Sequence, residues 1–172
     1  MKKLFPYVHS FWKKIGLGNF LYKDVEPINF IVDNLFLGDF RAADDIGILR
    51  KNNISNIINC AFNLPNKFPK EITYINLNLK DETKQPLIKS MEDAYKFIKD
   101  NKDKKTLVHC VYGKSRSASV IIFYLIKEKK MSFQEAKEFV RKIRSCVNPN
   151  EGFEKELTKY YDENIANSNK DI

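Results

Sequence analysis

The chain has 172 residues, 43% hydrophobic and 13% aromatic, with a formal net charge of +8. That length holds one domain with its own core, and the composition excludes a disordered or fibrous chain. The charge invites an acidic partner, but Lys supplies most of the 30 basic residues and is interleaved with Asp and Glu, the pattern of solvated helical faces, so no nucleic-acid partner is expected.

Residues 1–26 stand apart as a basic, aromatic segment ahead of a folded domain spanning 27–162. Pro6 and Lys13-Lys14 break any stretch that would read as a signal peptide. At helical spacing Leu4, Val8, Phe11, Trp12 and Ile15 share one face, with Lys2 and Lys3 elsewhere. Such a face packs on the domain or on a second copy of it, or lies on a membrane surface; monomer and homodimer both stay open. Ile28 to Gly38 holds two apolar stretches around Asp33-Asn34 and predicts a hairpin. Ala42 to Asn52 predicts a helix, with Ile46 and Leu49 at helical spacing. Ser55 to Cys60 predicts a buried strand, and Tyr74 to Leu79 a half-exposed one that alternates apolar residues with Asn. Pro86 to Lys99 carries Ile88, Met91, Tyr95 and Ile98 on one helical stripe, with Pro86 in the first turn. Thr106 to His109 is a further strand. Ser117 to Lys130 predicts a helix apolar nearly all round, hence central, and too short in its apolar run to span a bilayer. Ser132 and Glu135 form a capping box for another helix. Beyond Asn148-Pro149-Asn150 a last helix presents Phe153, Leu157 and Tyr161, and the polar tail 163–172 is expected to fray. The sum is an α/β single domain, a mixed sheet flanked by helices.

The chemistry concentrates in His109-Cys110-Val111-Tyr112-Gly113-Lys114-Ser115-Arg116-Ser117. A strand, a tight glycine-containing loop and a helix start make an anion site, because consecutive N–H groups converge there and the helix dipole adds positive potential. A cysteine at the mouth of such a site is held as a thiolate, and the Arg116 guanidinium fork matches two oxygens of a phosphate. Nucleophile and anion cradle in one loop predict phosphoryl transfer through a cysteinyl intermediate, with phosphate bound by the N–H groups of Val111, Tyr112, Gly113, Lys114, Ser115 and Arg116 and by the Arg116 fork. Only His9 and His109 exist, and no Asp-x-Asp pair stands where a metal motif needs one, so neither metal nor cofactor is expected. The three cysteines, Cys60, Cys110 and Cys146, lack paired metal spacing and suit a reducing compartment, cytoplasmic or nuclear. Cys60 ends its strand as Cys110 ends its own. It is read as a small core residue, with a reversible disulfide to Cys110 after oxidation as the alternative.

These residues resemble the dual-specificity phosphatases of the cysteine-based protein tyrosine phosphatase superfamily, whose His-Cys-(any five)-Arg-Ser signature matches His109 to Ser117. Asp33-Asn-Leu-Phe-Leu-Gly38, Ile57-Ile-Asn-Cys60 and Asn148-Pro-Asn-Glu-Gly-Phe153 follow in the family's order, across roughly residues 27–160. The resemblance implies a phosphatase with Cys110 as nucleophile, Asp81 as the acid on a preceding loop, Ser117 as the hydroxyl that helps expel the thiolate, and His109 orienting the loop. Glu82 is the neighbouring candidate acid. It also implies a shallow pocket accepting phosphotyrosine and phosphoserine/phosphothreonine on phosphoproteins, with Tyr112 a departure at the rim where many relatives have Ala. Lys13-Lys14-Ile15-Gly16-Leu17 resembles a docking motif for mitogen-activated protein kinases. The same fold also hosts phosphoinositide phosphatases, with which Lys114 agrees and Val111 does not, RNA 5′-triphosphatases, and non-catalytic phosphoprotein-binding modules. A rhodanese-like sulfur carrier is disfavoured by Asp81 and the Arg-Ser ending.

Overall fold

The computed structural model describes residues 25–166; the predicted helical face of the N-terminal segment and its docking motif lie outside these. Five strands form one mixed sheet in the order β1-β2-β5-β3-β4. β1 (Ile28–Val32) and β2 (Leu35–Gly38) make the predicted hairpin, with Asp33 at φ 50 in the turn. β3 (Ile54–Ala61), β4 (Thr73–Leu79) and β5 (Lys105–His109) run parallel to one another, and β2 runs parallel to β5. Parallel pairing needs long crossover connections, usually helical, which cover both faces, and the strand residues divide accordingly. Leu35, Leu37, Ile58 and Val108 face one core; Phe36, Ile57 and Leu107 face the other, as side chains alternating across a pleat must.

The smaller core lies under α1 (Phe40–Ala43) and α2 (Ile46–Lys51). A single helix from Ala42 to Asn52 was the expectation, and two short ones form instead, the first beginning earlier. Two aspartates explain the break. Asp39 accepts the N–H of Arg41, and Asp45 accepts those of Gly47 and Ile48, so each starts its own helix as an N-cap.

The larger core packs against α3 (Ile88–Asp100), α4 (Arg116–Lys129), α5 (Phe133–Ile143) and α6 (Glu151–Tyr161). α4 is buried from Arg116 to Ile126, so its nearly uniform apolarity reflects a central position. The expected capping box at Ser132 and Glu135 is formed. Two boundaries differ from the sequence reading. Pro86 precedes α3 instead of sitting in its first turn, and the Leu87 N–H donates to Glu156 across the domain at 3.0 Å. The helix also continues past Tyr161 as a π-helical turn, Asp162–Ala166, that buries Ile165, where residues from Glu163 on were expected to fray. Ile165 joins the larger core there, and Asn164 donates from Nδ2 to the Tyr160 carbonyl at 2.9 Å.

Candidate active site

The parallel strands β3, β4 and β5 all end at one edge of the sheet, the edge at which α/β folds bind ligands. Cys110 follows β5 there, and the loop through Ser115 leads directly into α4. Gly113 sits at φ +65, and a Cβ on it would lie 2.6 Å from the Gly38 carbonyl oxygen and 2.7 Å from Nη2 of Arg144. Positive φ and a close backbone approach both demand glycine here. The Cys110 Sγ accepts the Gly113 N–H at 3.3 Å and the Ser117 hydroxyl at 3.2 Å. Burial alone would raise this thiol's pKa; the Arg116 charge, the Ser117 hydroxyl and the N–H groups of Ser117 and Lys114 outweigh it, and the net shift is downward. Ser115 opens α4 without capping it, which leaves the first N–H groups of a long helix to the loop.

Arg116 crosses to β4, donating from Nη1 to the Leu79 carbonyl at 3.3 Å, while its Nε faces the Asp81 carboxylate at 3.5 Å. That Nε makes no hydrogen bond among the described residues, so a buried cationic donor faces the site with capacity to spare. Asp81 is held from two more sides, by the Ser115 hydroxyl at 2.7 Å and by Nδ2 of Asn150 at 2.9 Å. Asn150 also donates its backbone N–H to Ser115 and caps α6 by accepting the Phe153 N–H. The carboxylate of Glu82 stays exposed.

His109 is buried, and its Nδ1 donates to the Cys110 carbonyl at 3.3 Å. Burial pulls its pKa down to about 4, against weaker upward effects from that hydrogen bond and Asp39, so the ring is neutral near pH 7. Lys114 and Tyr112 reach the exposed rim, whereas Val111 is half-buried. Cys60 lies level with Cys110, one residue past the paired Asn59 and His109. Burial, then the Cys110 charge, pushes its thiol well above the usual range. Among the described residues no cluster of three His, Cys, Asp or Glu stands where a metal would bind.

The model of the dual specificity phosphatase catalytic domain matches residues 35–163. The chain belongs to that family. It is 38% identical to Protein phosphatase Slingshot of Drosophila melanogaster over 132 residues, 76% of this chain and 13% of that protein. Dual specificity protein phosphatase 19 of Mus musculus is 33% identical over 128 residues, covering 73% of this chain and 58% of its own length. The chain therefore spans much less than the full length of these relatives. Among solved structures, the human tyrosine phosphatase-like serine/threonine/tyrosine-interacting protein superposes with a TM-score of 0.76 at 29% identity, over 79% of this chain and 96% of that one.

Three residues of this phosphatase-family site have no role in the sequence reading. Arg144, with no solvent exposure of its side chain, donates from Nε to the Gly113 carbonyl at 3.0 Å and from Nη2 to Asp39 at 3.2 Å. Its Nη1 donates to Asn29 at 2.8 Å and to the Glu26 carbonyl. Asp39, at the end of β2, also takes a forked interaction from Arg41. This network holds the outer wall of the loop, turning a carbonyl outward where the N–H groups turn in. Asn150 is the third, and the one visible signal for it was its place in the Asn148-to-Phe153 segment.

Proposed function

We propose that this chain is a protein phosphatase that hydrolyses phosphotyrosine and phosphoserine/phosphothreonine through a cysteinyl-phosphate intermediate. The observation that carries the reading is the convergence on one sulfur: Cys110 Sγ takes the Gly113 N–H and the Ser117 hydroxyl, with Arg116 and Asp81 paired at the mouth. A phosphate dianion entering the loop takes over the Arg116 fork and the inward N–H groups. Arg116 leaves its pairing with Asp81, whose carboxylate takes up a proton from solvent and turns to the leaving oxygen. The Cys110 thiolate attacks phosphorus in line, the P–O bond breaks, and the leaving oxygen takes its proton from Asp81. In the second half Asp81 accepts a proton from water, which attacks the phosphocysteine. The P–S bond breaks, and the Ser117 hydroxyl steadies the returning thiolate. Phosphoryl transfer through a loose transition state depends mainly on positioning and charge stabilisation, which a rigid N–H cradle provides.

Steady-state and single-turnover hydrolysis of an aryl phosphate, with EDTA present, tests this against the second reading, a module that holds phosphoproteins without turnover. Activity that survives EDTA and vanishes in Cys110→Ser supports the thiol mechanism. A folded wild-type protein that binds phosphopeptide without releasing phosphate overturns it.

A further inference from the structure

Phe62 and Tyr112 are both 38% exposed, two of the few large apolar side chains open to solvent among the described residues. Both stand at the edge of the sheet that carries Cys110. Asn59 on β3 is paired with His109 on β5, and each aromatic is the third residue beyond that matched pair. On the far side of β3, Ala61 pairs with Leu79 of β4, which brings the next residue, Lys80, beside Phe62. The Lys80 ammonium lies 5.4 Å from the Phe62 ring centroid, within cation–π range.

The position of Lys80 relative to the reaction gives this pair its meaning. Lys80 directly precedes Asp81, and in the mechanism proposed above Asp81 faces the leaving oxygen. A long group attached to that oxygen extends outward from the Asp81 side, the side on which Lys80 and its partner Phe62 stand. An exposed ring with a cation over it presents a flat apolar wall and one positive charge, which suits a carboxylate next to an apolar stretch of chain. We propose that Phe62 and Lys80 form a specificity surface for the residues flanking the phosphoresidue, and that the substrate is a polypeptide with an acidic residue beside it. A phosphoinositide headgroup is a poorer match, since its phosphates and hydroxyls leave the Phe62 and Tyr112 rings without an apolar partner. The inference rests on the phosphatase reading, and it names the substrate class of the same site.

The test uses the full chain and compares kcat/KM on para-nitrophenyl phosphate, on two phosphotyrosine peptides that differ only in Glu or Lys beside the phosphoresidue, and on phosphatidylcholine vesicles carrying a phosphoinositide. The Glu peptide is expected to exceed the Lys peptide by about tenfold at low salt and by less at high salt, since the contact is exposed. Lys80→Gln is expected to reduce that ratio to about threefold or less, and Phe62→Ser to lower both peptides by about threefold to tenfold. Neither variant should change turnover of para-nitrophenyl phosphate, which is too small to reach the wall. Equal peptide rates in the wild type, or a ratio untouched by Lys80→Gln, overturns the inference alone, provided para-nitrophenyl phosphate is still turned over. Faster hydrolysis of the vesicle phosphoinositide than of either peptide, lost in Lys80→Gln, overturns it in favour of a lipid. Absence of para-nitrophenyl phosphate turnover overturns the phosphatase reading itself, and this inference with it.

Discussion

Asp81 is held by a serine hydroxyl, an asparagine amide and an arginine, and each of these groups belongs to the loop, to the start of α4 or to the start of α6. Asp81→Asn is expected to lower kcat on aryl phosphates by about 10²–10⁴-fold and to flatten the alkaline limb of the pH profile, with smaller losses as the leaving group becomes more acidic. Unchanged turnover across a leaving-group series would remove Asp81 from the acid's role. His109 allows a prediction about stability. Its folded pKa of about 4 lies below the ordinary value of about 6.5. Between those limits the unfolded chain binds more protons, so the stabilisation is complete above about pH 6.5 and is lost as pH falls toward 4. The shift corresponds to a loss on the order of 3 kcal/mol. Urea unfolding at pH 7 and pH 5 should show a stability drop in the wild type that is smaller in His109→Gln.

At the scale of elements, the acid loop and the last helix form a unit. A Cβ on Gly152 would lie 2.0 Å from the Thr83 carbonyl oxygen, and backbone at that distance has nowhere to go without moving the loop. Gly152→Ala is therefore expected to displace Asp81 and lower kcat by about tenfold or more. The loss should be far less than additive with Asp81→Asn, because both changes disable the same group. Additive losses in the double variant would show that Gly152 acts elsewhere. The helical elements also mark the limits of local reading. Periodicity located α3, α5 and α6 to within a few residues, because one apolar face determines a helix that packs on a core, and a run apolar nearly all round located the central α4. The division between α1 and α2 was missed because Asp39 and Asp45 cap through hydrogen bonds that apolar spacing does not record.

Across the whole molecule, Arg144 connects pieces far apart in the chain: Glu26 and Asn29 near its start, Asp39 at the end of β2, and the loop from Cys110 to Ser115. Removing one partner of a buried charged network typically costs about 3–5 kcal/mol, and Asp39 keeps its pairing with Arg41. Arg144→Met is therefore expected to cost about 3 kcal/mol in urea unfolding. Thiolate formation at Cys110, followed by the pH dependence of iodoacetamide alkylation, should also shift upward as the loop wall relaxes. A stability loss without that shift would confine Arg144 to a packing role.

The sequence by itself determined the parts whose physics is local. Strand-loop-helix spacing around Cys110 predicted the anion site, short apolar runs and, for β4, alternation predicted the strands, and periodicity or, for α4, a run apolar nearly all round predicted the helices that cover the larger core. It also singled out Asp81 as a candidate acid, through resemblance to a family and not through any property of the residue, since an acid on a loop looks the same whether it meets a guanidinium or water. Tertiary structure alone decided which distant groups meet. It brought β4 to the sheet edge so that Arg116 reaches Leu79 and Asp81, set Asn150 and Gly152 beneath the acid loop, and buried Arg144 behind Gly113. Those contacts join residues tens of positions apart, and no period along the chain encodes them; they form because packing the helices on the sheet leaves each buried charge and carbonyl needing a partner within hydrogen-bond reach.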